Sequence, residues 1–216
     1  TLTRTRLVGI FGKAEFNYKE FLFLCLTGRT DNSSPLPKEN NSYFYPSAGL
    51  AFNFTELPAL KGKTGPLSFG KIRASFANVG NPAPPYKITS RLVSQTSTGG
   101  GFLFDFFGDN PALKPESVKS IEIGTELGLW NDRVILDLSY YNKSITDQIV
   151  TQRLSYGTGF IFGLLNGGDV QTNGIDGSLD INIFQKQNFR WNVITNFTKY
   201  KTAVSWNLPY FAPIDK

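Results

Sequence analysis

Residues 120–129 read Ser120-Ile121-Glu122-Ile123-Gly124-Thr125-Glu126-Leu127-Gly128-Leu129. Side chains in a strand alternate between two faces. Ile121, Ile123, Thr125, Leu127 and Leu129 therefore share one face, and Ser120, Glu122, Gly124, Glu126 and Gly128 share the other. One face is apolar and the other carries carboxylates. A soluble sandwich alternates in the same way, but with shorter strands and short connections at both ends. Here the pattern recurs with tight turns at one end and long polar loops at the other. Strands of about ten residues with that asymmetry, apolar outward and polar inward, are what an outer-membrane barrel requires. The fold class is read as all-β, an antiparallel transmembrane β-barrel meander.

About eight such strands are expected. The first covers residues 6–18, with Val8, Ile10, Ala14, Phe16 and Tyr18 opposed to Lys13, Glu15 and Asn17. A turn at Lys19 and Glu20 leads to residues 21–29, where Leu22, Leu24 and Leu26 oppose Cys25, Thr27 and Arg29. Arg29 or Lys13 against lipid would cost about 2–4 kcal/mol near the midplane, which sets the Leu and Val faces outward. Further strands are expected over 45–54, 67–78, 118–129, 133–145, 170–184 and 189–200. The turn at 55–66 is expected to hold a short helix over 56–61, capped by Thr55 and stopped by Gly62. Asn131-Asp132 and residues 185–188 are read as tight turns, and 30–41, 79–115 and 146–168 as long loops. Within the second loop, residues 87–93 are expected to form an extra hairpin above the membrane.

Composition supports a wall with two solvents. The chain has 19 Phe, 9 Tyr and 3 Trp, yet its mean hydropathy is only -0.18. That combination suits strands that are half lipid-facing and half wetted. No apolar run is long enough for a transmembrane helix, and residues 1–11 do not read as a signal peptide. Met is absent, so the chain is expected to be an internal piece of a larger protein. Cys25 is the lone cysteine and His is missing, which leaves no zinc, haem or iron–sulfur ligand set and no expected metal or cofactor. The net charge of +5 comes from basic residues scattered singly rather than in a stripe, so nucleic acid is not an expected partner. No nucleophile–base grouping exists, and the chain is not read as an enzyme.

A set of phrases then resembles one family in order and spacing, over about residues 5–200. They are Ile10 to Tyr18 with Arg29-Thr30-Asp31-Asn32-Ser33-Ser34, Tyr43-Phe44-Tyr45-Pro46-Ser47, and Lys71-Ile72-Arg73-Ala74-Ser75-Phe76-Ala77-Asn78-Val79-Gly80-Asn81. Asn110-Pro111-Ala112-Leu113-Lys114-Pro115-Glu116, Glu122-Ile123-Gly124, Tyr140-Tyr141-Asn142 and Asn166-Gly167-Gly168-Asp169-Val170 complete the set. Together they resemble the SusC/RagA-like TonB-dependent outer-membrane transporters of Bacteroidetes. The resemblance implies a 22-stranded barrel with an N-terminal plug, of which residues 1–216 would be a contiguous part of the wall. It implies oligosaccharide or similar nutrient import, a SusD-like surface lipoprotein, the TonB complex acting through a plug not present in this chain, and contact with outer-membrane lipid. Import of peptides or metal chelates, and a soluble β-rich carbohydrate-binding or adhesin module, remain as alternatives.

Two groups of residues are candidate sites. Phe102, Phe104, Phe106 and Phe107, beside Gly99 to Gly101, form an aromatic cluster suited to stacking on a sugar or anchoring a partner, or to packing within their own loop. Lys71, Arg73, Glu122, Glu126 and Asp137 fall on polar strand faces and are expected to line the lumen. Glu122 and Glu126 would lie roughly 13 Å apart at 3.3 Å per residue, as wetted wall residues rather than a glycosidase pair. Tyr43 and Tyr45 are assigned to an outer aromatic girdle, and Trp130 and Trp191 to the girdle at the tight-turn end.

Overall fold

The computed structural model describes residues 4–62, 65–90, 92–94, 99–186 and 188–206 of the 216. The expected period-two segments become one eight-stranded antiparallel sheet. Its strands are β1 (Leu7–Tyr18), β2 (Leu22–Ser33), β3 (Ser42–Asn53), β4 (Leu67–Asn81), β7 (Glu116–Leu129), β8 (Val134–Arg153), β9 (Phe162–Lys186) and β10 (Phe189–Trp206), in the order β1-β2-β3-β4-β7-β8-β9-β10. Two short strands, β5 (Leu92–Ser94) and β6 (Phe102–Phe104), pair only with each other. Every step in the large sheet joins neighbours along the chain, so it is a meander.

The turns at one end are tight because their residues accept a left-handed backbone. Lys19 and Glu20, then Trp130, Asn131 and Asp132, all have positive φ. Asn and Asp tolerate that region, and the Asp132 carboxylate is fixed by the Ser68 hydroxyl at 2.7 Å. The turn after β3 is a single 3-10 turn, Phe54–Glu56, not the helix expected over 56–61. Thr55 does not cap it: the Thr55 hydroxyl accepts the Gly70 N–H at 3.1 Å and ties the turn to β4. Gly62 does take the left-handed conformation, at φ +75°. In the expected turn at 185–188, Gln187 lies outside the described residues, as does Arg91 in the expected extra hairpin.

The register fixes the tilt. Starting at Tyr18, the last residue of β1, the pairing row runs Leu22, Phe52, Ile72, Thr125, Leu138, Gly177 and Phe197. Phe197 is eight residues inside the start of β10 at Phe189. An offset of about 26 Å along the strands over about 34 Å across them gives a strand tilt of about 38° if both ends share one rim. That is the inclination of an outer-membrane barrel strand, about 35–45°.

With that tilt each residue climbs about 2.6 Å from the rim, and each step from β1 towards β10 climbs about 3 Å. The apolar face then has a level upper edge. Phe76, Ile121, Tyr140, Ile175 and Phe197 lie about 19–23 Å above the rim. The next outward residue on each of those strands is Asn78, Lys119, Asn142, Asn173 or Lys199, at about 24–28 Å. On β2 the change comes at Thr30 and Asn32, while β1 and β3 carry Val8 and Phe44 at this level. An apolar band about 25 Å tall is the height a barrel presents to hydrocarbon. The rim below it is aromatic, with Tyr18 against Phe21, Phe21 against Phe52, and Phe184 against Phe189, and with Trp130 and Trp191 exposed beside them.

Two further expectations need correction. Tyr43 and Tyr45 pair with Asp31 and Arg29 on the polar face, so they do not belong to a lipid-facing girdle; Phe44, 60% exposed, is the outward aromatic there. Residues 146–168 are not a long loop, because β8 and β9 continue pairing from Gln148↔Gly168 to Arg153↔Phe162. A bulge between Ile145 and Gln148, with Asp147 at φ 56°, resets the pairing and carries the hairpin far above the band.

Candidate functional site

On the polar face of β4, β7 and β8 the register gathers the five expected wall residues. Lys71 faces Glu126, and Glu126 faces Asp137; Arg73 faces Gly124. Lys71 pairs with Glu126 at 3.1 Å. Gly124 has no side chain, so the Arg73 guanidinium lies across β7 in the space a Cβ would fill. It thereby reaches β8, where its two terminal nitrogens donate to the Asp137 carboxylate at 3.0 and 2.7 Å. Arg73 also donates to the Ser139 hydroxyl and stands 3.6 Å from Glu122. Glu126 is thus held by Lys71, while Glu122 shares Arg73 with Asp137, which is not the arrangement of an acid–base pair. Further along this face Asp176 and Asp180 each have a carboxylate oxygen that is buried and unpartnered among the described residues.

Above the wall the connecting segments build a second layer. Leu36, Ala83, Leu113 and Leu164 form its buried core, with Tyr43, Ile88 and Ile149 packed against it. These residues come from four separate parts of the chain. Polar side chains fasten them: the Asn110 amide donates to the Leu164 carbonyl at 2.7 Å, and the Asn40 amide to the Leu113 carbonyl at 3.3 Å. Asn166 accepts from the Lys114 N–H and donates back to the Lys114 carbonyl, both at 2.9 Å, and also donates to the Asp147 carbonyl at the bulge. Glu116 accepts from the Asn81 amide at 2.8 Å and from the Ile149 N–H at 2.9 Å. The phrases Asn110 to Glu116 and Asn166 to Val170 are therefore the struts of this platform.

The aromatic cluster divides on this platform. Phe107 bridges to Phe162, lies 5.6 Å from its ring, and has the Lys87 ammonium 3.6 Å over its own ring centre. The Phe106 carbonyl accepts from the N–H groups of Ile161 and Phe162 at 3.0 and 2.9 Å. Phe102, Phe104 and Phe106 remain 70%, 65% and 64% exposed, although Phe104 meets the edge of Phe160 at 5.9 Å. Phe102 and Phe104 stand on β6, which pairs antiparallel with β5, so the extra pairing joins 92–94 to 102–104 rather than falling within 87–93. Sequence reading missed the struts Asn40, Asn110, Asn166 and Glu116. The clustering of Asn with Pro and Gly marks turns, but which carbonyls such residues reach is set by tertiary pairing.

The chain matches the family model described as TonB dependent receptor-like, beta-barrel, over residues 1–213. It is 29% identical over 210 residues to TonB-dependent receptor P3 of Formosa agariphila, covering 94% of this chain and 21% of that protein. TonB-dependent receptor P26 of the same organism is 32% identical, with 92% and 20% covered, and TonB-dependent receptor SusC of Bacteroides thetaiotaomicron is 24% identical, with 91% and 20% covered. The chain thus spans about a fifth of the length of the curated relatives it matches. In fold it is similar to the RagAB peptide importer in its closed-closed state, at TM-score 0.85, 20% identity, 96% of this chain and 24% of that one. A siderophore receptor, PirA of Pseudomonas aeruginosa, aligns at TM-score 0.60 and 16% identity, with 94% and 37% covered.

Proposed function

This chain belongs to the TonB-dependent receptor β-barrel family of the outer membrane, and from that membership we propose that it is wall of an importer for oligosaccharides or similar nutrients. The observation that supports this most is the family match over residues 1–213, with P3, P26 and SusC as relatives over more than nine-tenths of the chain. In this reading the network of Lys71, Arg73, Glu122, Glu126 and Asp137 faces the lumen, where a plug domain works and receives energy from the TonB complex. A SusD-like surface lipoprotein meets the loop platform, and Phe102, Phe104 and Phe106 stand where that partner or a sugar would dock. No catalysis is assigned. The named relatives are receptors, and each carboxylate of the network is engaged with a cation.

A second reading, peptide import, has its own support in the fold likeness to the RagAB peptide importer. The two separate in cells lacking the gene for the full-length receptor, offered labelled oligosaccharides or labelled peptides. Loss of oligosaccharide uptake, reproduced by removing TonB, is expected. Selective loss of peptide uptake would move the assignment to the second reading, and undisturbed uptake of both would end the importer proposal. Deleting residues 99–107 in the full-length receptor should reduce co-extraction of the lipoprotein or uptake. If neither changes, the aromatic arm has no part in recognition.

A further inference from the structure

The outward face has a feature that transport does not use. Between the rim and Lys201, no Asp or Glu occupies an outward position on any of the eight long strands. Lys119 on β7 and Lys199 and Lys201 on β10 do occupy outward positions, and all three are exposed. Lys119 stands about 27 Å above the rim, Lys199 about 26 Å and Lys201 about 31 Å, all just past the apolar edge. The stretch between Lys119 and Lys199, about 18 Å along the rim, is filled by Asn142 and Asn173, which hydrogen-bond to each other. Among the described residues none of the three lysines makes an ion pair, although the inward face is rich in them.

We propose that Lys119, Lys199 and Lys201, with Asn142 and Asn173 between them, bind the phosphate-bearing headgroup of an anionic lipid in the outer leaflet. Charge selects the occupant: a face with cations and without acids, at the height where hydrocarbon gives way to headgroups, is complementary to phosphate. Position supports it, since the patch is continuous with the apolar band that lipid covers. A lysine that only reached for water would have no need of a neutral hydrogen-bonding stretch joining it to the next lysine at the same level. Phosphate accepts from ammonium and amide N–H alike, so all five residues supply donors.

The test uses the full-length receptor purified in detergent and titrated with bis-phosphorylated lipid A in mixed micelles, bound lipid being read by native mass spectrometry. The triple variant K119Q/K199Q/K201Q should bind this probe at least about tenfold more weakly, since each lysine near an anionic surface is worth roughly fivefold. K143Q, which removes one exposed charge from the inward face of β8, should bind like the wild type. Dephosphorylated lipid A should bind the wild-type receptor as weakly as the phosphorylated form binds the triple variant, a comparison that does not depend on a variant folding. Equal binding of the two lipids by the wild type, or unchanged binding by a folded triple variant, would overturn the proposal.

Discussion

The wall and the platform above it solve the same problem in opposite ways. Up to about 24 Å above the rim the chain is one sheet thick and has no interior. Leu26, Leu50, Ile72, Ile123 and Ile175 are all exposed in the chain by itself. They need no protein partner, because lipid is their solvent. Above that level lipid ends, and the same chain builds a core from Leu36, Ala83, Leu113 and Leu164. Apolar residues in a barrel are thus selected by height as well as by alternation.

The largest expected difference comes from truncating one leucine in each layer. Leu113 is fully buried, and Leu113→Ala should cost the platform about 2–5 kcal/mol, read as faster hydrogen exchange confined to the loops of the full-length receptor. Leu26→Ala, on the lipid face, leaves no cavity because lipid refills it, and exchange in the wall should change little. A similar loss at both sites would break the contrast. The height argument is sharpened by charge. Leu26→Arg, about 13 Å above the rim, should cost about 2–4 kcal/mol in the denaturant midpoint of the receptor folded in vesicles, whereas Val8→Arg, at about 26 Å, should cost about 0–1 kcal/mol. Equal costs would mean that the apolar edge is not the membrane boundary.

On the inward face the effect is smaller and comes from pairing. Arg73→Ala strands Asp137 and Glu122 and should cost about 1–3 kcal/mol. Combined with Asp137→Ala the loss should be less than the sum of the two, since the second change removes the charge left unpaired; strict additivity in that cycle would deny the network. Smallest of all is the turn below the rim. The Glu56 carboxylate holds the Lys61 ammonium at 2.7 Å and raises its pKa above the ordinary 10.5. Whatever that pair contributes is complete below 10.5 and is lost as pH climbs through the raised value. Because Lys61 is fully exposed, Lys61→Ala should leave the midpoint at pH 8 unchanged.

The same division explains what could be read from the sequence. In the wall, lipid on one side and water on the other impose alternation, and the eight strands and their outward residues were legible from Val8 to Phe197. Above the band nothing imposes it. Residues 146–168 hold five Gly and read as a loop, yet 148–153 pair with 162–168 as strands, and the Asn166 side-chain amide ties the backbone of Lys114 and Asp147 to that hairpin. The polar faces of Lys71, Arg73, Glu122, Glu126 and Asp137 could be assigned, but not their partners. Arg73 meets Asp137 across 64 positions of sequence, and only register brings them together. The misassignment of Tyr43 and Tyr45 has the same root: the composition of that segment suits a girdle, but its phase relative to Arg29 and Asp31 assigns it to the other side.

The offset of eight residues between β1 and β10 also carries a rule for closure. If the barrel closes with 22 strands, as the family resemblance implies, the same rate would accumulate to about 25 residues, and the total would have to be even, or side chains would change sides where the circle meets itself. The nearest even totals, about 24 and 26, would correspond to a cylinder about 43 Å across between backbone centres. These eight strands would then make up roughly a third of the circumference. A single residue added to the middle of β7 would do more than shift Glu122 and Glu126; it would change the arithmetic by which the circle joins.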